Sequence, residues 1–165
     1  MLCFAFGAEM DPEVRRGRFP EHRVVGLAGL RDHQLSFPRF SPEWDGGLAG
    51  IQTHHGDTLW GVAYDITEAG LAELDRTEGF RSAGDAHNVS ERQVVLVELT
   101  RPDDGSVPRR LRVYVYLPRA SNPSPPSPAY RDAMLRGATH HALPEEYLTR
   151  LKGLPVRSGV GGTGG

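Results

Sequence analysis

Several features that would assign a protein to a common functional class are absent from this chain of 165 residues. Its one cysteine, Cys3, excludes an internal disulfide and is expected to be a buried structural thiol. No apolar run approaches the roughly 20 residues of a membrane-spanning helix, and no charged segment followed by an apolar one opens the chain as in a secretory signal. With 19 basic and 21 acidic residues, the formal net charge is only −2. We therefore expect a cytoplasmic protein that binds neither nucleic acid nor a membrane.

The motifs of several enzyme classes are also missing. The chain has no Gly-x-Ser-x-Gly nucleophile elbow, no Walker glycine pattern and no dinucleotide-binding glycine pattern. Its histidine pairs, His54-His55 and His140-His141, are adjacent in sequence. Adjacent side chains diverge on a strand and lie ~100° apart on a helix, so neither pair forms a preorganised metal site and no metal is expected.

The most informative segment is Leu-Asp-Arg-Thr-Glu-Gly-Phe at residues 74–80. Thr67 can cap a short amphipathic helix that leads into it, and Gly79 stands where a helix end favours a residue with positive φ. Glu78 faces the negative end of the helix dipole, which disfavours its charged form. A carboxylate of this kind suits a general acid or base near neutral pH. The alternative is an ordinary surface glutamate at a helix end.

The hydrophobic pattern predicts an α+β fold. Strands are expected over 2–6, 24–30, 33–37, 48–53, 58–65, 94–99 and 109–117, with turns at 31–32, 54–57 and 102–106 and loops at 38–47 and 82–90. Helices are expected from Asp11, before Glu78, over 127–140 and over 144–153. Because short turns join most strands, the sheet should be mostly antiparallel, curled or closed into a small β-barrel with flanking helices. Residues 1–154 should form a single domain, followed by a flexible Gly-rich tail at 155–165.

Five short segments resemble, in their order, the motifs of the γ-glutamylcyclotransferase family. They are Phe-Gly-Ala-Glu at 6–9, Trp-Gly-Val at 60–62, Leu-Asp-Arg-Thr-Glu-Gly at 74–79, Pro-Ser-Pro-Ala-Tyr at 126–130, and Gly-Ala at 137–138 with Leu-Pro-Glu-Glu-Tyr at 143–147. Family members typically show Tyr-Gly-Ser-Asn, Trp-Gly-Val, Leu-Asp-x-x-Glu-Gly, Pro-Ser-x-x-Tyr, and Gly-Ala with Leu-Pro-x-x-Tyr. The match runs from about residue 2 to about residue 154, so the chain is identified as a member of this family.

The resemblance implies an enzyme that releases 5-oxoproline from a γ-glutamyl amino acid or amine. In this reaction the α-amine attacks the γ-carbonyl of the same glutamyl group. Such a step needs a base for the ammonium, donors for the α-carboxylate and the developing oxyanion, and a curled substrate. The reaction implies no cofactor and no metal. The implied partner is the small γ-glutamyl substrate, and the protein is expected to be a monomer or a homodimer.

Position by position, the resemblance makes Glu78 the catalytic acid and base. The turn after the first strand would bind the carboxylate end of the substrate through backbone amides; its residues are Phe6, Gly7, Ala8, Glu9 and Met10. Tyr116 and Tyr130 would line the pocket, although each is alternatively a core aromatic with a satisfied hydroxyl group. Trp60 and Gly61 are expected to pack in a strand.

Two departures from the family pattern concern the substrate. Ala8 and Glu9 stand where relatives commonly have Ser and Asn, so a carboxylate lies beside the expected anion site. If Glu9 points inward it would repel the α-carboxylate or hold an ammonium group, whereas if it points outward it changes little. Ser90 stands where many relatives have a pocket tyrosine, which implies a wider or more polar pocket. A second hypothesis is therefore a small-molecule binding protein that keeps the pocket but has lost turnover.

Overall fold

The computed structural model describes residues 1–18, 21–100 and 109–158. Within these ranges five strands form a closed barrel in the order β1-β3-β2-β4-β5; they are β1 Leu2–Ala5, β2 His22–Ser41, β3 Gly46–Ile66, β4 Ser90–Leu99 and β5 Arg110–Pro118. The helices around the barrel are α1 Pro12–Arg18, α2 Glu68–Thr77, α3 Pro128–His140 and α4 Glu145–Lys152. The predicted α+β class and the closed, mostly antiparallel barrel are confirmed. None of the described helices is both long and apolar enough to cross a membrane.

The long strands β2 and β3 pair with each other antiparallel along most of their length. The prediction of four shorter strands, separated by turns at 31–32 and 54–57 and a loop at 38–47, was wrong. Asp32 and Gly56 do adopt positive φ values of 61° and 89°, as turn residues would. However, the Gly56 N–H donates a hydrogen bond to Asp32 Oδ1 at 3.0 Å, across the ladder. The chain therefore bulges with a register shift and does not turn back; it reverses only at residues 42–45.

The remaining elements follow the prediction. β4 and β5 form an antiparallel hairpin, and its expected turn at 102–106 lies outside the described residues, as does the tail from residue 159. α3 begins after Ser127, whose hydroxyl accepts a hydrogen bond from the Tyr130 N–H. Such capping satisfies a backbone donor at the helix start, so the local sequence sets where α3 begins.

The short strand β1 closes the barrel. It pairs antiparallel with β3 and parallel with β5, where Cys3 lies opposite Tyr114. Gly61 on β3 permits this closure, because a Cβ at that position would lie 2.4 Å from the Ala5 carbonyl oxygen and 2.6 Å from the Phe4 ring. Gly61 therefore packs closely against β1 in the barrel, as expected. β1 leads directly into a 3-10 turn at Ala8–Met10, so barrel closure fixes the position of residues 7–10, hereafter the 7–10 turn.

Candidate active site

One cavity of about 250 Å³ brings most of the predicted site residues together. Its walls come from β1 and the 7–10 turn, the β2–β3 reversal, the end of α2, the start of β4, the end of β5 and the start of α3. The predicted residues that line it are Phe6, Gly7, Glu9, Glu78, Tyr116 and Tyr130. Ala8 lines a small adjoining cavity of about 50 Å³, and Met10 is fully buried. The main cavity is near the lower end of the size range for small-molecule sites.

Glu78 lies at the cavity wall because α2 ends there. Thr67 caps the start of α2 by accepting a hydrogen bond from the Gly70 N–H at 3.0 Å, and Gly79 follows the helix with a φ of 69°. Val89 packs on Gly79, since a Cβ there would lie 2.8 Å from the Val89 Cβ, and its N–H donates to the Gly79 carbonyl at 2.9 Å. The predicted helix end is confirmed, and it holds the half-buried Glu78 carboxylate beside the cavity.

Tyr130 is both a core aromatic and part of the cavity wall. Its side chain is buried, and its ring packs edge to face on Trp44 with the centroids 5.0 Å apart. Its hydroxyl oxygen accepts a hydrogen bond from the Ala49 backbone N–H at 3.1 Å. Burial, and then the charge of Glu9, raise the pKa of Tyr130 above its ordinary value. The hydroxyl therefore stays protonated at neutral pH, and it can donate a hydrogen bond towards the cavity.

The 7–10 turn is held in place from its back. The Met10 N–H donates to the Gly7 carbonyl at 3.2 Å, which closes the turn. Asp11, whose side chain is only 3% exposed, forms an ion pair with Arg136 of α3 at 2.9 Å. Gly137 lets α3 approach closely, because a Cβ there would lie 2.3 Å from the carbonyl carbon of Met10. The Gly-Ala motif at 137–138 therefore positions the turn that faces the cavity.

A network that the sequence did not reveal attaches α2 to the barrel. Asp75 of α2 accepts hydrogen bonds from Arg92 Nη1 at 2.6 Å and from the Tyr116 hydroxyl at 2.7 Å. The Arg92 guanidinium also lies over the rings of Phe80 and Tyr114. Burial and the neighbouring Asp75 raise the pKa of Tyr116, so its hydroxyl remains a donor to the carboxylate. Asp75 lies three residues before Glu78, and the network thus sets the position of that carboxylate.

We expect the substitution Tyr116→Phe to lower the free energy of unfolding by about 1.5 kcal/mol, because it removes a hydrogen bond to a charged group. Urea denaturation followed by circular dichroism measures this change. Tyr114→Phe on the same strand is the control, since it removes a hydroxyl that does not bond to Asp75 and keeps the ring under Arg92. Equal losses in the two variants would show that the bond to Asp75 does not stabilise the fold.

Cys3 and Ser90 complete the inner wall of the cavity. Both are buried, with 4% and 2% of their surfaces exposed. Burial raises the pKa of Cys3 to about 12, so the thiol is protonated at neutral pH and unsuited to act as a nucleophile. Ser90 gives the cavity a small polar wall. Among the described residues, no group of three or more His, Cys, Asp or Glu side chains is placed to hold a metal ion.

A second buried network lies behind the 7–10 turn and was also missed from the sequence. Arg15 of α1 is 5% exposed and donates to the Tyr64 hydroxyl at 2.5 Å. That hydroxyl lies 3.3 Å from Nε2 of His141. Burial, followed by the charge of Arg15, lowers the pKa of His141 to about 4. His141 is therefore neutral at pH 7 and acts as a structural partner of Tyr64.

Comparison with known proteins extends the similarity over nearly the whole chain. The AIG2-like family matches residues 58–151. The γ-glutamylcyclotransferase of Mus musculus is 31% identical over 158 residues, which cover 93% of this chain and 78% of the mouse protein. The Homo sapiens γ-glutamylcyclotransferase is 30% identical over 157 residues, with the same coverage of both chains. A solved γ-glutamyl cyclotransferase structure superimposes with a TM-score of 0.83 at 27% identity, over 97% of this chain and 90% of that one.

Proposed function

This chain belongs to the γ-glutamylcyclotransferase family, a family of cyclising enzymes, and from that membership we propose that it releases 5-oxoproline from a γ-glutamyl amine or amino acid, with Glu78 as the general acid and base. The observation that carries the proposal is the position of Glu78. Its carboxylate shares one cavity with Gly7, Tyr116 and Tyr130, although these residues are far apart in sequence.

The proposed reaction needs one proton carrier. The Glu78 carboxylate takes a proton from the α-ammonium, which frees the lone pair of the nitrogen. That nitrogen attacks the γ-carbonyl carbon, a five-membered ring forms, and the electrons of the C=O bond move to oxygen. When the oxyanion collapses, the bond from the carbon to the leaving nitrogen breaks, and protonated Glu78 gives its proton to the departing amine. The ring nitrogen still carries one extra proton after the attack, and the regenerated carboxylate takes it and passes it to the released amine, so that the products are the neutral lactam and an ammonium ion. Because the attack is intramolecular, much of the entropic cost is met once the substrate is held curled.

The cavity offers hydrogen-bond donors for the two negatively charged groups of the reaction, which are the α-carboxylate of the substrate and the developing oxyanion. The protonated Tyr130 hydroxyl can stabilise the developing oxyanion or the α-carboxylate, and the backbone of the 7–10 turn faces the same space. Tyr116 directs its hydroxyl to Asp75, so its ring forms a wall of the cavity and its contribution is to position α2. The alternative of a binding protein without turnover is not favoured, because the relatives named above are enzymes.

The test is a panel of γ-glutamyl amino acids and γ-glutamyl amines incubated with the purified protein. 5-Oxoproline is quantified by mass spectrometry, with heat-denatured protein as the blank. We expect release from at least one member of the panel, in proportion to enzyme concentration. No release above the blank from any compound would contradict the proposed activity.

A further inference from the structure

The cavity of the candidate active site has two ends with different surfaces. At one end the 7–10 turn meets Tyr130, since a Cβ placed on Gly7 would lie 2.5 Å from the Tyr130 hydroxyl oxygen and 3.4 Å from the Ala49 Cβ. The ring of Trp44, from the β2–β3 reversal, packs on that of Tyr130. This turn end carries backbone polar groups and a hydroxyl group, and under the proposed function it holds the α-carboxylate of the substrate.

The opposite end of the cavity, hereafter the Ser90 end, lies between α2 and the β4–β5 hairpin. Its lining residues include Cys3, Leu74, Ser90, Tyr116 and Pro118. Cys3 and Leu74 belong to one small apolar cluster on which the Tyr116 ring packs, and Ser90 pairs with Pro118 across the hairpin. Because burial raises the pKa of Cys3 to about 12, its thiol is uncharged, and this wall presents a mostly apolar surface.

Ser90 is a small residue in this wall, and its side chain faces the cavity. It stands two positions before Arg92 on β4, and alternate residues of a strand lie on the same face. Arg92 reaches across to Asp75 of α2, so Ser90 also points towards α2. Only 2% of Ser90 is exposed, whereas the adjacent Val89 is 40% exposed at the mouth of the cavity. A larger side chain at position 90 would therefore fill cavity space and would not extend into solvent.

Glu78 lies between the two ends. Burial raises the pKa of Tyr130, and the charges of Glu9 and then Glu78 add to this effect, so the Glu78 carboxylate is within electrostatic range of the turn end. On its other side Gly79 packs on Val89, because a Cβ there would lie 2.8 Å from the Val89 Cβ. In the proposed reaction Glu78 serves both the α-nitrogen and the leaving nitrogen. With the α-carboxylate at the turn end, the leaving group extends past Glu78 towards the opposite end of the cavity.

We propose that the Ser90 end is the subsite for the leaving group and that Ser90 is a specificity-determining residue, whose small side chain makes room for a short apolar chain on the leaving amine. The inference rests on the proposed function for the orientation of the γ-glutamyl group, and it adds the chemical class of the leaving group. Each methylene that leaves water for an apolar wall improves binding about fourfold. The cavity volume of about 250 Å³ limits the chain to a few carbons.

The test uses the γ-glutamyl amides of methylamine, ethylamine and propylamine, and it measures kcat/KM for the release of 5-oxoproline. These three amines have nearly equal basicity, so the compounds differ in apolar surface and not in leaving ability. We expect kcat/KM of the parent enzyme to rise along the series. The propylamine compound should exceed the methylamine compound by about 15-fold, which is about fourfold for each of the two added methylenes.

Substitutions at position 90 should change this ratio according to their size. Ser90→Val fills the subsite and should bring the ratio to within about 3-fold of unity. Ser90→Thr adds one methyl group and keeps the hydroxyl group, so its ratio should be intermediate, whereas Ser90→Ala keeps the space and should retain the parent ratio. Ser41→Val is the matched control, because Ser41 lines the same cavity from the end of β2, beside the turn end. It should change both rates by the same factor and leave their ratio as in the parent.

Three results would overturn the inference. The first is a parent ratio near or below unity. The second is a ratio that neither Ser90→Val nor Ser90→Thr lowers, in variants with native circular dichroism. The third is release of 5-oxoproline from other γ-glutamyl compounds but from none of these three amides, which would leave the proposed function intact and contradict the subsite alone.

Failure of the proposed function is distinguished by binding. If no γ-glutamyl compound releases 5-oxoproline, the proposed reaction fails, and calorimetric affinities of the parent protein for the same three amides test the subsite by itself. Affinity that rises with chain length supports the subsite. Equal affinities, or no detectable binding of any of the three, contradict it.

Discussion

Replacement of Glu78 by Gln is expected to lower kcat for 5-oxoproline release by about 10³-fold. Glutamine has nearly the same shape as glutamate, but its amide cannot accept the proton of the α-ammonium, and a protonated amine has no lone pair with which to attack. The affinity for substrate should change little, because the cavity walls, the capped helix and Gly79 remain as they are. The measurements are single-turnover release of 5-oxoproline and calorimetric affinity for a poorly cleaved substrate.

Glu73→Gln is the matched control for this substitution. Glu73 lies on the same helix, is exposed, and forms an ion pair with Arg76 on the helix surface. Its loss should leave kcat unchanged and change the stability of the fold very little, because an exposed pair of this spacing stabilises a helix weakly. If Glu78→Gln retains activity within about 10-fold of the parent, below the usual contribution of general acid–base catalysis, another group moves the proton.

The substitution Gly137→Ala should have the largest effect on the fold. The added Cβ would lie 2.3 Å from the Met10 carbonyl carbon and 2.5 Å from the Asp11 nitrogen. Both are backbone atoms, so no rotamer change relieves the overlap, and α3 or the 7–10 turn must move. We expect the free energy of unfolding to fall by about 2–3 kcal/mol, with a rise in KM because the displaced turn faces the cavity. Urea denaturation and steady-state kinetics measure the two effects.

Gly17→Ala provides the control for this second substitution. Gly17 lies in α1, and a Cβ there would have no neighbour within 4 Å. Alanine at this position should raise the free energy of unfolding by roughly 0.5–1 kcal/mol, because glycine loses more backbone entropy in a helix. A Gly137→Ala variant as stable as Gly17→Ala would show that α3 has room to shift without cost.

The features that the sequence predicted well are those with local causes. The capping of α2 by Thr67, the start of α3 next to residue 127 and the positive φ of Gly79 depend on residues within a few positions of each helix end. These signals placed Glu78 at a helix end correctly. The family resemblance then indicated which distant segments would meet it, and the cavity contains most of them.

The features that could not be predicted from the sequence have non-local causes. Asp32 and Gly56 are residue types that favour turns, and the sequence therefore predicted one turn at each. In the structure, a hydrogen bond between β2 and β3 joins them, and the two predicted turns form a single bulge. Asp75, Arg92 and Tyr116 come from three different elements, and no spacing along the chain indicates that they meet. Glu9 Oε2 and the Tyr130 hydroxyl oxygen likewise both lie beside Gly7, although no spacing along the chain indicates that Tyr130 meets the 7–10 turn.

The closure of the barrel by β1 has a consequence for the order of folding. Cys3 pairs with Tyr114, and the cavity also needs Tyr130, so the wall of the site joins residues from both ends of the chain. Contacts of such long sequence separation form late, because the entropy of closing the loop must be lost before they contribute. During synthesis, the 7–10 turn and Glu78 leave the ribosome long before β5 and α3 do. Because β5 ends at Pro118, a nascent chain that ends before Tyr130 can contain all five strands of the barrel and still lack part of the cavity wall, so the complete cavity forms only after the start of α3 has also been made.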